Sequence, residues 1–507
     1  MTAEKDASHD ESSPEGFGTR VRAALAWRYG SQIAAQIIAW SSTLMVVRLL
    51  DPSDYGLFAM SQVVVAGLNF MNGWGFANSL VQARTVDKRM IGQVFAMLLL
   101  TNGVLAAAQL IIAPWAAAYF REPQVVDILR VQALLYLTTP FIALPSALLS
   151  RDIQFRPQAL ANMIAAIVGA LTALALAYFG YGVWALVYAP IAAFAVRGLI
   201  LSVSSRLLVR PVFDFRGAGQ MIGFGSAMTA IQLLWIVQSQ SDIFIAGRAF
   251  ETYELGLYAE AIFLTMILTS RFLPPLNDVA FPAYSELHKE GRSLAPHFVR
   301  VMRTVSLVVM PFYIGLALTA PEAVETVFGE KWLPMAPIVS GLSLVMPAMA
   351  LQIICDPATN ATGHARISLY TSLFGAVVFP ASFLVGIAYG PMGLVHAWWV
   401  AAPALLVFSL AVTLPVVKVG IGQLLRAVVP SLVATALMAG VVAALDMQLG
   451  SWHPALRLIA LAASGAAIYG GVLWIGYKDV VLDAVAMIRR RPASVPEPGD
   501  RTQTISG

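Results

Sequence analysis

Residues 48–59 read Arg48-Leu-Leu-Asp-Pro-Ser-Asp54-Tyr-Gly56-Leu57-Phe58-Ala59, and residues 248–259 read Arg248-Ala-Phe-Glu-Thr-Tyr-Glu254-Leu-Gly256-Leu257-Tyr258-Ala259. Both hold an arginine, an acid six residues later, and then Gly-Leu-aromatic-Ala, repeated at a constant offset. Each copy lies in a tight turn between two apolar segments. Six apolar segments separate the copies, and an even number returns the chain to the same direction. The two halves therefore run parallel, related by a pseudo-twofold axis along the membrane normal. A weaker echo follows in each half, Gly180-Tyr-Gly182-Val-Trp-Ala-Leu186 and Gly390-Pro-Met-Gly393-Leu-Val-His396.

Working outward, the chain reads as about fourteen apolar segments, from 23–48 to 455–477, each near the length that spans a bilayer. Of 507 residues, 58% are hydrophobic and 12% charged, about half the charged share of a soluble protein. A soluble fold of this size cannot hide so much apolar surface. The runs are sustained rather than alternating, which points to helices and not barrel strands. The fold class expected is an all-α membrane protein: two parallel six-helix bundles, 20–212 and 213–416, plus two additional helices in 417–480. Residues 1–19, polar and acidic without a signal peptide, read as a disordered cytoplasmic tail, and 481–507 read as a cytoplasmic tail. Cytosolic enzymes, secreted domains and nucleic-acid-binding modules are excluded.

Lysine and arginine gather in alternate connections, such as Arg84, Lys88 and Arg89, Arg206, Arg210 and Arg216, and Lys289 and Arg292. That asymmetry puts both termini in the cytoplasm. The net charge of +4 is then a topology signal and not a sign of a nucleic-acid partner. The single cysteine, Cys355, excludes a disulfide framework and a cysteine-based metal site. No phosphate-binding P-loop, zinc-protease motif or His/Cys cluster occurs, so neither cofactor nor metal is expected. Driving force must come from an ion gradient, a partner, or consumption of the substrate on the far side.

A charge at membrane depth costs about 2.5–3.5 kcal/mol on insertion scales, so it normally faces a cavity or a partner. The first apolar helix carries Arg28, Gln32 and Gln36 at four-residue spacing, on one face. The first helix of the second half carries Gln232, Trp235, Ser239 and Asp242 as a stripe. Repeat-related polar stripes suit a shared central cavity; hydrogen bonding between helices is the alternative for the glutamines. Arg271 is the deepest cation and precedes Pro274-Pro275, where the helix is expected to break or kink. It either meets an anionic substrate group or neutralises Asp242. Arg197 either lines the cavity or extends its long stem toward the cytoplasm.

The segments from Arg48 to Ala59, Ser241-Asp242-Ile-Phe-Ile-Ala-Gly247-Arg248, Phe281-Pro282-Ala283-Tyr284-Ser285-Glu286, Val327-Phe328-Gly329-Glu330-Lys331-Trp332 and Asn360-Ala361-Thr362-Gly363 resemble bacterial polysaccharide transporters. These are the oligosaccharide flippases of O-antigen and exopolysaccharide synthesis, in the multidrug/oligosaccharidyl-lipid/polysaccharide superfamily. The likeness covers roughly 20–480. It implies a transporter, not an enzyme, in the bacterial inner membrane. Its substrate would be an undecaprenyl-diphosphate-linked oligosaccharide repeat unit, carried to the periplasmic leaflet by alternating access. Polysaccharide polymerases and glycosyltransferases are the partners so implied. Arg28, Arg197 and Arg271 suit a diphosphate and acidic sugars, Trp235 suits a sugar ring, and Asp242 becomes the ion-coupling candidate. A lipid II-type flippase or a cation-coupled drug exporter of the same superfamily would share the fold. A membrane glycan polymerase or ligase is the alternative of another class, and the short outer loops weigh against it.

Overall fold

The computed structural model describes residues 30, 34–69, 76–77, 80–81, 86–152, 154–206, 209–214, 219–480 and 482, the side chains of 219–233 and 365 excepted. Arg28, Gln32, the side chain of Gln232, residues 1–19 and the expected second tail apart from residue 482 lie outside that description. Every regular element among the described residues is helical. The first set comprises α1 (Ala34–Leu49), α2 (Pro52–Asn69), α3 (Lys88–Phe120), α4 (Gln124–Gln132), α5 (Leu134–Thr138), α6 (Pro140–Arg151), α7 (Phe155–Tyr178) and α8 (Trp184–Ser204). The second comprises α9 (Gly219–Ala249), α10 (Thr252–Lys289), α11 (Ala295–Leu318), α12 (Ala320–Val327), α13 (Ala336–Ile353), α14 (Cys355–Ala361), α15 (Ala365–Gly386) and α16 (Gly390–Val417). A final hairpin, α17 (Ile421–Gln448) and α18 (Pro454–Gly476), packs on α11 and α12.

Local chemistry sets the helix ends. Asp87 caps α3 by accepting from Met90 N at 2.7 Å, and Arg121 ends the same helix in the left-handed conformation, φ 61°. The α7–α8 turn needs its glycines: Gly182 has φ 57°, and a Cβ there would lie 2.7 Å from an Asp54 carboxylate oxygen. Large apolar side chains such as Ile111, Leu199, Val400, Val407 and Ile475 remain exposed, an outer surface suited to hydrocarbon and not to water.

Among the described residues, ten segments are long and apolar enough to cross a membrane, against the fourteen expected from sequence. One of the ten, Arg366–Val417, contains two helices, α15 and α16, joined by the 3-10 turn Ile387–Tyr389. They fold back where Gly386 and Gly393 meet, each so close to the other's carbonyl that a Cβ would collide. Of the break or kink expected at Pro274-Pro275, a break does not occur: α10 continues through Pro274, Pro275 and Pro282. Each ring leaves the carbonyl four residues earlier, at Ser270, Arg271 and Asp278, without its helical donor.

The end that carries the turns after α1 and α9 is called here the hairpin face. The two sets meet there, where α2 crosses α10. Trp332 is fully buried at this joint, donates through Nε1 to Val47 O at 3.0 Å, and meets Tyr55 edge-on with ring centroids 5.4 Å apart. The final hairpin is held to the same end by Arg457, whose guanidinium lies 3.1 Å from Glu322 and 2.6 Å from Asp446. Glu322 is only 5% exposed, so removing its partner strands a buried carboxylate. Arg457→Ala is expected to destabilise the fold by about 3 kcal/mol, and Arg457→Met combined with Glu322→Leu to recover most of it. Thermal unfolding in detergent micelles reads both; equal losses in the two variants would show that the stranded charge is not the cause.

Candidate functional site

Gln158, Asn162 and Ala166 recur every four residues along α7, so two carboxamides share one face of an otherwise apolar helix. Ala35, Gln36 and Ala39 of α1 and Ala193, Phe194 and Arg197 of α8 close around that face, leaving a cavity of about 490 Å³. It exists because small side chains confront one another there: Ala159, Ala165 and Ala166 oppose Ala35, Ala39 and Ala193, and none fills the gap. Toward the hairpin face the gap shuts. A Cβ on Gly169 would lie 3.1 Å from that of Ala193, and Ser42 Oγ donates to Ala170 O at 3.3 Å. From Phe155 to Ala166 the cavity follows α7 for about 16 Å at 1.5 Å per residue.

One of its polar groups is held. The Gln158 amide donates to Ser146 O at 3.0 Å and Ser150 Oγ at 2.9 Å, both on α6. Arg197 is half-buried, and its Nε has no hydrogen-bond partner among the described residues. Among the described residues the cavity thus offers one guanidinium, three carboxamides (Gln36, Gln158 and Asn162) and two phenyl rings (Phe155 and Phe194). Carboxamides bond hydroxyls in either sense, rings cover the apolar faces of sugars, and a guanidinium takes a carboxylate or phosphate by its fork. The set suits a polyhydroxylated ligand with an anionic group.

Of the residues singled out from sequence, Gln36 and Arg197 come together here. Trp235 and Arg271 do not; they are exposed on α9 and α10 in the second set. Gln238 packs its amide onto Gly375 of α15, the role of a helix–helix contact. Asp242 is 3% exposed inside the second set and is not paired with Arg271. Its carboxylate accepts from Ile243 N at 2.8 Å and from the Tyr258 hydroxyl at 3.3 Å, and that hydroxyl accepts from Trp398 Nε1 at 3.0 Å. Three helices, α9, α10 and α16, are linked through this chain.

Residues 45–337 match the family described as "Polysaccharide biosynthesis protein". The chain belongs to that family. Succinoglycan biosynthesis transport protein ExoT of Rhizobium meliloti (strain 1021) is 24% identical to it over 461 residues, 89% of this chain and 92% of the relative. Teichuronic acid biosynthesis protein TuaB of Bacillus subtilis (strain 168) is 23% identical over 406 residues, 78% of this chain and 83% of the relative. Among solved structures, the lipid II flippase MurJ in an inward closed conformation superposes with TM-score 0.72. The match has 12% identity and covers 89% of this chain and 98% of MurJ, a likeness of fold.

In this polysaccharide biosynthesis protein, sequence reasoning missed Gln158 and Asn162, although their four-residue spacing in an apolar helix was a usable signal. Tyr258 and Trp398 gave none, since their role depends on helices far apart in the chain meeting at Asp242.

Proposed function

We propose that this protein is a flippase that moves undecaprenyl-diphosphate-linked oligosaccharide repeat units across the bacterial inner membrane, by alternating access, for surface polysaccharide synthesis. One observation carries the reading: a half-buried arginine shares a cavity with three carboxamides inside a bundle of membrane-length helices. A soluble sugar-binding site has no need of that setting, and a drug-cation exporter is opposed by the arginine itself. The family membership and the transport and biosynthesis names of the relatives support it.

In this reading the chain crosses the membrane fourteen times. Residues 20–212 and 213–416 form the two parallel six-helix bundles, and 417–480 add two helices. Both termini are cytoplasmic and the hairpin face is periplasmic, in keeping with the basic residues Lys88, Arg89, Arg151, Arg156, Lys289, Arg292 and Arg366 near the opposite end. Arg28, Gln32, Gln36 and Arg197 engage the headgroup first. Gln232, Trp235 and Arg271 meet it from the second bundle, and Asp242 couples an ion. The glycosyltransferases that build the unit and the polymerase that uses it are the functional neighbours.

The test is mass spectrometry of lipid-linked oligosaccharides in a deletion strain, with assay of its surface polysaccharide. Accumulated repeat units on the lipid and no polymer are expected, and purified protein in vesicles should then flip the accumulated species. Normal intermediates with normal polymer would overturn the reading.

A further inference from the structure

The duplicated sequence element is also a duplicated set of contacts. At the crossing of α2 and α10, a Cβ on Gly56 would collide with the Thr252 carbonyl, and a Cβ on Gly256 would collide with the Pro52 carbonyl. The two glycines and the two carbonyls exchange places under the offset that relates the repeats, 56 to 256 and 52 to 252. Only a residue without a side chain lets the backbones approach so closely.

The paired arginines behave in the same reciprocal way. Arg48, at the end of α1, donates through Nε to Val327 O at 3.1 Å and through Nη2 to Thr326 O, the last turn of α12. Arg248, at the end of α9, donates to Tyr119 O at 3.1 Å in the last turn of α3, with its guanidinium 5.0 Å from the Tyr119 ring centroid. Each arginine therefore reaches from its own set of helices to a helix C-terminus of the other, where carbonyls lack helical partners and the helix dipole favours a cation. Around them Lys331 lies 3.3 Å from Asp51, Tyr119 stacks on Phe244 at 4.4 Å, and Phe120 covers Gly247. Apart from the 209–214 linker, which Arg89 and Gln93 hold to α3, the described hydrogen bonds and ring contacts between the two sets cluster at this face.

We propose that the duplicated Arg–Gly element is the gate of the hairpin face: Gly56 and Gly256 let α2 and α10 close against each other, and Arg48 and Arg248 latch the closure onto the opposing helix ends. The element explains why the repeat preserves an arginine and, eight residues on, a glycine, while neither lines the cavity. Its importance for transport rests on the alternating-access reading; closure itself can be measured without it.

The experiment uses the full chain with Cys355→Ala, Asp51→Cys and Lys331→Cys, and a short bifunctional thiol reagent that joins the last two when the face is shut. Gly56→Val and Gly256→Val should each lower the cross-linking yield about tenfold, since overpacking a close crossing disfavours the packed state. Arg48→Gln and Arg248→Gln should each lower it about threefold, by similar amounts, because each removes one of two equivalent latches. Gly67→Val, which meets open space on α2, should leave it unchanged. In cells, the valine variants should also lose polymer export. Unchanged cross-linking in the valine variants would overturn the gate, as would an effect confined to one member of either pair. If the valine variants fail to insert, the two arginine variants decide. Reduced cross-linking with full export would retain the closure and refute its place in transport. A failed mass-spectrometric test of substrate would leave the cross-linking result intact.

Discussion

Arg197→Ala is expected to abolish polysaccharide export while the protein still inserts and folds. The guanidinium is the cation of the cavity, and its Nε donor has no partner among the described residues to lose. Truncation therefore removes the positive charge that lines the cavity and breaks no hydrogen bond from Nε. A charge-assisted hydrogen bond contributes about 1.5–3 kcal/mol, which is roughly tenfold to a hundredfold in occupancy of the loaded state. Arg197→Lys should retain part of the rate, because an ammonium supplies charge but not the planar fork. Arg197→Gln should fall near the alanine variant, since a fourth carboxamide cannot replace the charge. The readout is flipping rate in reconstituted vesicles against substrate concentration, with membrane level and melting temperature as controls. Wild-type rates in Arg197→Ala would remove the cavity from the mechanism.

The helical class, the duplication and the position of its most informative repeat were legible because they depend on local sequence: apolar run length, tight-turn residues and a motif recurring at fixed offset. The meaning of that repeat was not. Gly56, Gly256, Arg48 and Arg248 read only as members of a repeated turn motif until α2 and α10 are seen to cross and the opposing helix ends come into view. The cavity was half legible. Gln36 and Arg197 belong to it, but the stripe argument favoured a space shared between the first helices of the two halves. Among the described residues a cavity opens within the first set, where the alanine-rich faces of α7 and α8 leave a gap beside α1. At the prolines the sequence left two outcomes, a break or a kink, and the helix is unbroken. A proline removes one helical hydrogen bond and does not by itself end a helix, so α10 runs on past Pro274-Pro275.

Asp242→Asn is expected to uncouple transport from the ion gradient while leaving the fold close to wild type. The substitution keeps the shape of the side chain and an oxygen that still accepts from Tyr258 and Ile243 N, and removes only the ability to carry charge. Tyr258→Phe does the reverse: the charge stays, but the carboxylate loses a donor and Trp398 Nε1 loses its acceptor. A merely structural role for Asp242 predicts the larger stability loss in Tyr258→Phe and an unaltered gradient response in both variants. A coupling role predicts that Asp242→Asn alone loses the gradient-driven part of the rate. The repeat strengthens the second expectation. The positions that answer to Asp242 and Tyr258 in the first half are Ser42 and Phe58, which cannot hold a charge or make this bond. Any ion-linked switch built on this pair is confined to the second bundle, two residues from Gly256, so a change in the Asp242–Tyr258 bond acts directly on the helix that closes the gate. Vesicle assays under imposed proton and sodium gradients distinguish the cases, and a full gradient response in Asp242→Asn would exclude Asp242 as the coupling group.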